Sequence, residues 1–336
     1  MINLISVIIP SYNSEKTIDK TIKALLKQNY PKKNYEIIVV DDESTDNTEQ
    51  VVKKFKYVKF FKQKHEGPAA ARNLGAKISK GDIILFTDSD CILDKNWIKN
   101  MVEPFKDKNV AGVSGTYKTL NKKSLLARFI GYDIQFKHEH MKKEKSIDFV
   151  GTFSAGYKKS IFQEEKGFNT SFPIASGEDP ELSYRIAKKH KIVFQPSAFV
   201  WHPHPDNLKI FLTQKFWRAY WRYLMYDRHR KKMFGDSYTP FSSLMSIWIQ
   251  VFLIIFIAFL IPISFFVPTL FEFLSLLILF TIFVPNLHFI LWMLKRDKSV
   301  ALSSPFIFLL RNIAFALGSL AGGINYFVRK YSGDMV

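Results

Sequence analysis

Asp88, Ser89 and Asp90 follow directly on the apolar run Ile83-Ile84-Leu85-Phe86-Thr87. Two carboxylates two residues apart, where a strand runs out, can converge on one side and offer oxygen ligands to a hard divalent cation. Such a cation keeps open positions and is commonly shared with substrate phosphates. The triplet alone carries little weight, because aspartate is frequent in the turns that follow strands. Its company adds weight. Upstream, in order, lie Ser6-Val7-Ile8-Ile9-Pro10-Ser11-Tyr12-Asn13, then Ile37-Ile38-Val39-Val40-Asp41-Asp42-Glu43-Ser44-Thr45-Asp46, then Gly67-Pro68-Ala69-Ala70-Ala71-Arg72-Asn73-Leu74-Gly75. Three strand ends in succession deliver polar or acidic residues to one edge of a sheet.

The elements that must position these groups alternate in type. Residues 4–9, 37–40, 58–61 and 83–87 read as short, mostly apolar strands suited to a sheet covered on both faces. Between them, Ser14 is the expected N-cap of a helix burying Ile18, Ile22, Leu25 and Leu26. Asp46 with Glu49 gives a capping-box-like start to a second helix, and Pro68 opens a third that runs through Ile78. The alternation predicts a doubly wound, mainly parallel α/β sheet, whose ligands bind beyond the carboxyl ends of the strands. Tyr12, Asp42 and Asp88 all fall at that edge, so residues far apart in sequence form one expected site.

Further on, residues 111–118 read as a strand and 124–145 as a long, mostly polar helix. Gly151-Thr152-Phe153-Ser154-Ala155-Gly156 would let backbone approach closely. In Ser176-Gly177-Glu178-Asp179-Pro180, proline suits the first helical position, which makes Asp179 the expected N-cap. The pair Asp41-Asp42 is either ordinary loop chemistry or a carboxylate accepting from a base N–H or ribose hydroxyl; Asp46 as cap leaves the pair available. Arg72 gains nothing from the helix dipole in the first turns of its helix, so contact with phosphate or base is weighed against simple exposure.

The four ordered segments resemble the inverting glycosyltransferase family 2, whose catalytic domain has the GT-A nucleotide-sugar fold. The likeness covers roughly the first two thirds of the chain. It implies that Pro10, Tyr12, Asp42 and Arg72 line a nucleoside pocket with Asp41 beside them, and that Asp88 and Asp90 handle diphosphate and metal, Mg²⁺ or Mn²⁺. Glu43 departs from the pattern, since many relatives carry a small residue there. The stretch from Glu178 to Arg185 matches the segment in which the family keeps its general base. The resemblance thus assigns that role to Asp179, with Glu178 in reserve. A carboxylate at that loop-to-helix corner would take the proton of an acceptor hydroxyl. His202 either completes the metal shell begun by Asp90, as a C-terminal histidine does in some GT-A enzymes, or simply ends a strand.

The other end of the chain has a different character. Residues 244–267, 271–294 and 305–328 each approach the roughly 20 apolar residues that cross a bilayer. The third, with Arg311, Asn312 and paired glycines, reads either as a packed span or as a tilted interfacial helix. The expected organisation is a catalytic domain over 1–205, interfacial helices over 206–240 and a transmembrane region over 241–336. The first apolar run is a short strand rather than a signal peptide, and Lys295, Arg296 and Lys298 lie between the second and third spans. On both grounds the catalytic domain is expected on the cytoplasmic side of a cell membrane. A single cysteine, Cys91, suits a reducing compartment.

A net charge of +18 invites a nucleic-acid reading, but its distribution argues otherwise. The basic stretch 209–232 interleaves Arg218, Arg222 and Arg228 with Trp217, Tyr220, Trp221 and Tyr226 just before an apolar span. That mixture fits an anionic membrane surface, and no nucleic-acid module accompanies it. These arginines would meet the phosphate of a polyprenyl-linked acceptor. Gln214-Lys215-Phe216-Trp217-Arg218 is similar to the Q-x-x-R-W motif of processive synthases with Trp and Arg interchanged, which disfavours a polymerase. The sequence therefore reads as a membrane-bound, inverting, metal-dependent glycosyltransferase using a nucleotide-diphosphate sugar and a lipid-linked or glycan acceptor. Its alternatives are a polyprenyl-phosphate sugar synthase, a membrane module with a vestigial nucleotide-binding domain, and a soluble nucleotide-sugar binder.

Overall fold

Residues 4–172, 176–265 and 267–332 are described by the computed structural model. By internal contacts the chain divides into two units, Met1–Asn121 with Lys137–His204, and Lys122–Phe136 with Pro205–Val336. In chain order the elements are β1 (Ile5–Ser11), α1 (Ile18–Leu26), β2 (Tyr35–Asp41), α2 (Thr48–Lys53), β3 (Val58–Lys62), α3 (Pro68–Ile78), β4 (Ile83–Phe86), β5 (Ile92–Leu93), α4 (Trp97–Val102) and β6 (Val110–Thr119). There follow α5 (Leu125–Met141), β7 (Ala155–Lys158), α6 (Lys159–Glu164), α7 (Glu178–Ala187) and β8 (Lys191–His202). The remainder is helical: α8 (Leu208–Arg228), α9 (Phe241–Ser264), α10 (Pro268–Phe283), α11 (Leu287–Leu294) and α12 (Lys298–Ser332).

The first unit is built on a mixed sheet of order β3-β2-β1-β4-β7-β6-β8-β5. The strands β3, β2, β1 and β4 run parallel, as do β6 and β8, while β7 is antiparallel to both β4 and β6. Every residue of β1 is buried, as a strand covered on both faces requires. Val7 and Ile9 join Ile37, Val39 and Leu85 in a core with Ile18, Ile22 and Leu25 of α1 and Trp97 and Met101 of α4. On the opposite face α3 lies hard against β1: a Cβ at Gly75 would stand 2.4 Å from Ile8 Cγ2. That approach fixes α3, and with it Arg72, relative to the carboxyl edge of the sheet.

Several local expectations are corrected. Ser14 does not cap α1, which starts at Ile18; its hydroxyl instead donates to the Tyr12 carbonyl and meets Ser89 Oγ at 2.8 Å. The carboxylate of Asp46 does accept the Thr48 N–H, but Glu49 pairs with Lys53 rather than closing a box. Helix α7 begins two residues early, at Glu178 rather than Pro180, with Gly177 before it, so Asp179 lies in the first turn and is not the cap. The small residues of the 151–156 stretch serve core packing. Gly156 sits in β7, where a Cβ would press on Leu85 and Met101. Helix α5 is less polar than its composition implies, for Leu126, Phe129, Ile130 and Met141 are buried.

In the second unit, Phe129 of α5, Phe211 of α8, Phe289 of α11 and Phe308 of α12 share one apolar cluster. A buried polar chain runs alongside. Asn312 Nδ2 donates to Gln250 Oε1 at 2.5 Å, and Gln250 Nε2 donates to the Thr281 carbonyl at 2.8 Å, joining α12, α9 and α10. Arg311 Nε donates to Asn312 Oδ1 at 2.9 Å, and its Nη1 lies 3.4 Å from Asp133 Oδ1 on α5. At Gly318 and Gly322, α12 packs backbone to backbone on α8: added Cβ atoms would fall 2.2 Å from the Phe216 carbonyl oxygen and 2.3 Å from that of Tyr220. Close helix contacts of this small-residue kind are typical of apolar bundles, where packing rather than water exclusion holds helices together.

Among the described residues, three helical stretches are long and apolar enough to cross a membrane: Ser243–Ile263, Glu272–Leu294 and Lys298–Arg329. The expected first segment reached 267, of which Phe266 lies outside the described residues, as do the last four residues of the 241–336 region. The second stretch is interrupted by a 3-10 turn over Val284–Asn286, where Pro285 has no N–H to donate. The third is one long helix, and its paired glycines are contacts with α8 rather than breaks.

Candidate active site

The site grows from three loops leaving β1, β2 and β4 at one edge of the sheet. The register places Ser11 opposite Asp41 and Pro10 opposite Val40, so Pro10 is a buried strand residue beneath the edge. Tyr12 follows as an exposed ring. Asn13, in left-handed backbone, accepts the Thr45 N–H on its Oδ1 at 2.9 Å and donates its own N–H to Ser44 Oγ at 2.8 Å. Its short polar side chain makes that conformation accessible. The Ser14–Ser89 contact fastens the same loop to the turn after β4. The three loops are therefore tied to one another, not merely adjacent.

Within this edge the two neighbouring aspartates do different work. Asp41 is buried and accepts from the N–H of Ser44 at 3.0 Å and from its hydroxyl at 2.5 Å, shaping the loop after β2. Asp42 is also buried and holds the segment before α3. Gln63 Nε2 and the Glu66 N–H donate to its Oδ1 at 2.7 and 2.9 Å, and the Gly67 N–H donates to its Oδ2 at 3.0 Å. Glu43, in left-handed backbone, accepts the His65 N–H at 3.1 Å.

Arg72 is buried rather than exposed. Its Nη2 donates to Asp88 Oδ1 at 2.9 Å and its Nη1 to Glu178 Oε1 at 3.1 Å. Burial by itself lowers the pKa of a guanidinium, but the charges of Asp88 and Glu178 outweigh it and hold Arg72 above its ordinary value. Glu178 Oε2 in turn accepts the N–H groups of Ser176 and Gly177 at 3.0 and 3.2 Å. One guanidinium thus bridges the turn after β4 to the start of α7, where half-buried Asp179 is the next residue and its carbonyl accepts the Ser183 hydroxyl at 2.7 Å.

Asp90 meets His202, the last residue of β8, with 3.2 Å between Oδ2 and Nε2. Burial raises the Asp90 pKa, yet the hydrogen bond and charge of His202 outweigh it, leaving the carboxyl below its usual range. The Cys91 sulfur lies within 4.8 Å of both donor atoms. Burial together with the charges of Asp88 and Asp90 pushes that thiol well up, so it is a neutral neighbour. His202 Nδ1 is a buried nitrogen without a hydrogen-bond partner among the described residues. An acidic oxygen and an imidazole nitrogen at this spacing fit a divalent cation.

Comparison with known proteins bears on this arrangement. The sequence profile for glycosyl transferase family 2 matches residues 6–165. A relative from Escherichia coli, the UDP-Glc:α-D-GlcNAc-diphosphoundecaprenol β-1,3-glucosyltransferase WfgD, is 36% identical over 192 residues, covering 56% of this chain and 72% of its own length. The chain belongs to glycosyltransferase family 2. YdaM of Bacillus subtilis is 32% identical over 227 residues, 63% of this chain, and the chain spans only 53% of that protein's length. A mannosyltransferase of Pyrobaculum calidifontis, solved with GDP-Man and Mn²⁺, superposes with a TM-score of 0.62 over 94% of this chain and 86% of its own, at 16% identity. That likeness speaks to the GT-A fold.

In this family 2 glycosyltransferase, Arg72 brings Asp88 together with Glu178 and so with the neighbouring Asp179, Asp42 holds His65 against Tyr12, and Asp90 joins His202. Arg218, Arg222 and Arg228 belong to the second unit, on α8. Arg218 and Arg228 are exposed, while Arg222 Nη1 lies 3.2 Å from the Tyr226 hydroxyl and its guanidinium lies 5.7 Å from the Phe315 ring. Two partners escaped the sequence reading: Glu178 as the counter-ion of Arg72, and His65, whose ring lies 4.5 Å from that of Tyr12. The pairing of Arg72 with Glu178 spans 106 residues and leaves no local pattern.

Breaking the bridge has an expected price. Arg72→Met leaves Glu178 buried without its cation, and loss of one partner of a buried pair costs about 3–5 kcal/mol. The low end, about 3 kcal/mol, is expected because Asp88 retains contact with solvent. Chemical denaturation of purified protein measures it, and a loss below about 1 kcal/mol would show that the bridge is not a structural tie.

Proposed function

We propose that this glycosyltransferase is inverting, membrane-bound and metal-dependent, and that it moves a sugar from a nucleoside diphosphate to a lipid-linked acceptor. The observation that carries the reading is the buried Arg72, which connects Asp88 after β4 to Glu178 beside Asp179. It holds the expected diphosphate side and the expected acceptor side of one reaction in a single charged unit.

In the reaction the acceptor oxygen forms a bond to the anomeric carbon from the face opposite the leaving group. The bond from that carbon to the diphosphate oxygen breaks, and the nucleoside diphosphate leaves with its electron pair. Asp179 receives the acceptor hydroxyl's proton on a carboxylate oxygen as attack proceeds. Arg72 keeps Asp88 and Glu178 in place and sets the position of Asp179 through the first turn of α7. Asp90 and His202 would hold Mg²⁺ or Mn²⁺, which supplies Lewis-acid stabilisation of charge on the departing diphosphate. Tyr12 offers a flat apolar face to a nucleobase.

For the acceptor, the basic and aromatic face of α8 carries the argument, with the Escherichia coli relative, whose name specifies a diphosphoundecaprenol-linked acceptor, in support. The three long apolar helices support a multi-pass membrane chain, and Lys295, Arg296 and Lys298, from the end of the second to the start of the third, favour a cytoplasmic catalytic unit under the positive-inside rule. Arg218, Arg222 and Arg228 would meet the acceptor's phosphates. Transfer by purified protein from a panel of nucleotide sugars tests the donor class; turnover of none of them would overturn the reading.

The triple variant Arg218→Gln, Arg222→Gln, Arg228→Gln tests the acceptor. Each cation near an anionic surface contributes on the order of 1 kcal/mol, so apparent affinity for a lipid-linked acceptor is expected to fall roughly a hundredfold. Transfer to a short water-soluble acceptor should be unchanged. Equal loss on both acceptors, or none on either, would leave α8 as an anchor only.

A further inference from the structure

Asp42 is the residue that the family resemblance points at a nucleobase, yet its carboxylate is surrounded by donors of its own chain. Gln63 Nε2, the Glu66 N–H and the Gly67 N–H donate to it, and His65 Nδ1 lies 3.0 Å from Oδ2. A carboxylate offers about four acceptor positions, so little capacity remains for a ligand. What stands at the surface instead is the imidazole that Asp42 holds. The His65 side chain is 54% exposed and Tyr12 is 48% exposed, with ring centroids 4.5 Å apart at 37°. The loop bearing His65 is fixed from both sides, by Asp42 and by Glu43 Oε2, which accepts the His65 N–H at 3.1 Å.

The contacts also settle which ring nitrogen carries the proton. Among the described residues Nδ1 faces only acceptors, the Asp42 carboxylate and, at 3.1 Å, the Asp42 carbonyl oxygen. Nδ1 is therefore the N–H of the neutral ring, and Nε2 is an acceptor. An acceptor beside an exposed aromatic ring suits a base that stacks and presents a ring N–H, as uracil does at N3 and guanine at N1. Cytosine and adenine carry an unprotonated nitrogen at the equivalent position, which would set two acceptors against each other.

We propose that His65, oriented by Asp42 and paired with Tyr12, is the specificity-determining residue for the donor's nucleobase, and that it selects bases bearing a ring N–H. Asp42 is then a positioning residue. This rests on the nucleotide-sugar reading of the site and deepens it.

The test is calorimetric titration of the full-length protein in detergent with UDP, GDP, CDP and ADP, for the native chain, His65→Ala and His65→Phe. The native chain is expected to bind UDP or GDP at least tenfold more tightly than CDP and ADP. His65→Phe keeps a ring for stacking and removes the acceptor. It should weaken the preferred nucleotide roughly tenfold, the worth of one hydrogen bond, and leave CDP and ADP within about threefold. His65→Ala should weaken all four and abolish the preference. Equal losses on all four nucleotides with His65→Phe, or an unchanged preference, would overturn the role of His65. Absence of binding of any of the four by the native chain would overturn the donor reading itself, a distinct result. The side chain is exposed, so both variants should match the native unfolding midpoint; one that does not is replaced by His65→Gln, for which weaker but preserved discrimination is expected.

Discussion

Asp179→Asn is expected to lower turnover by roughly two to four orders of magnitude, the usual worth of a general base, with nucleotide affinity nearly unchanged. The structure makes this a clean experiment. The start of α7 is held by Glu178, whose carboxylate accepts the Ser176 and Gly177 N–H groups and pairs with Arg72. An amide at Asp179 keeps that hold and the backbone contact with Ser183. The unfolding midpoint should therefore stay close to that of the native chain. Turnover under acceptor saturation and nucleotide affinity by titration are the two readouts. Loss of nucleotide binding with normal turnover per bound complex would remove Asp179 from the base role. Near-native turnover with a lipid phosphate as acceptor would point to a polyprenyl-phosphate sugar synthase, because a phosphate oxygen needs little help to lose a proton. The reserve residue, Glu178, cannot substitute readily, since its carboxylate is committed to Arg72 and two backbone donors.

Legibility in the sequence followed the range of the interactions. Strands β1, β2 and β4 could be read because near-continuous apolar runs bounded by polar turns have few other solutions. The carboxyl edge then followed from their common direction, and it collected Tyr12, Asp42 and Asp88. Strands β5 and β7 were not legible: Ile92–Leu93 is two residues long, and Ala155–Lys158 lies at the end of a glycine-rich stretch read as a close approach. Caps failed for a related reason. Ser14 and Asp179 are good capping residues by type, but tertiary partners claimed the loops around them, Thr48 and Ser89 in one case and Arg72 with Glu178 in the other. The Asp90–His202 contact joins residues more than a hundred apart. It could be anticipated only because the resemblance supplied a histidine after the last strand. In the second unit, sequence composition located the apolar helices, whereas the polar chain from Thr281 through Gln250 and Asn312 to Arg311 depends on their packing.

Asp90→Asn is expected to reduce transfer at saturating Mg²⁺ or Mn²⁺ by about a thousandfold, on the view that Lewis-acid stabilisation is worth about 4 kcal/mol and each 1.4 kcal/mol is a factor of ten. An amide keeps the size of the side chain and one oxygen but removes the charge that a hard cation requires. His202→Ala should lose less, roughly ten- to hundredfold, because one neutral donor is removed while the acidic one remains. Three controls separate the metal role from a structural one. The Asp90–His202 contact lies at the half-buried rim of the sheet, so each variant should keep its unfolding midpoint within a few degrees of the native chain. Titration of Mn²⁺ into the protein with nucleoside diphosphate present, followed by its paramagnetic relaxation, should show weakened uptake in both variants. Raising the metal concentration should restore His202→Ala toward native transfer and leave Asp90→Asn low. Native transfer by Asp90→Asn in the presence of EDTA would remove the metal from the mechanism and leave the pair as a tie between the turn after β4 and the end of β8. Reduced transfer with unchanged Mn²⁺ uptake would assign Asp90 to the diphosphate or the sugar instead.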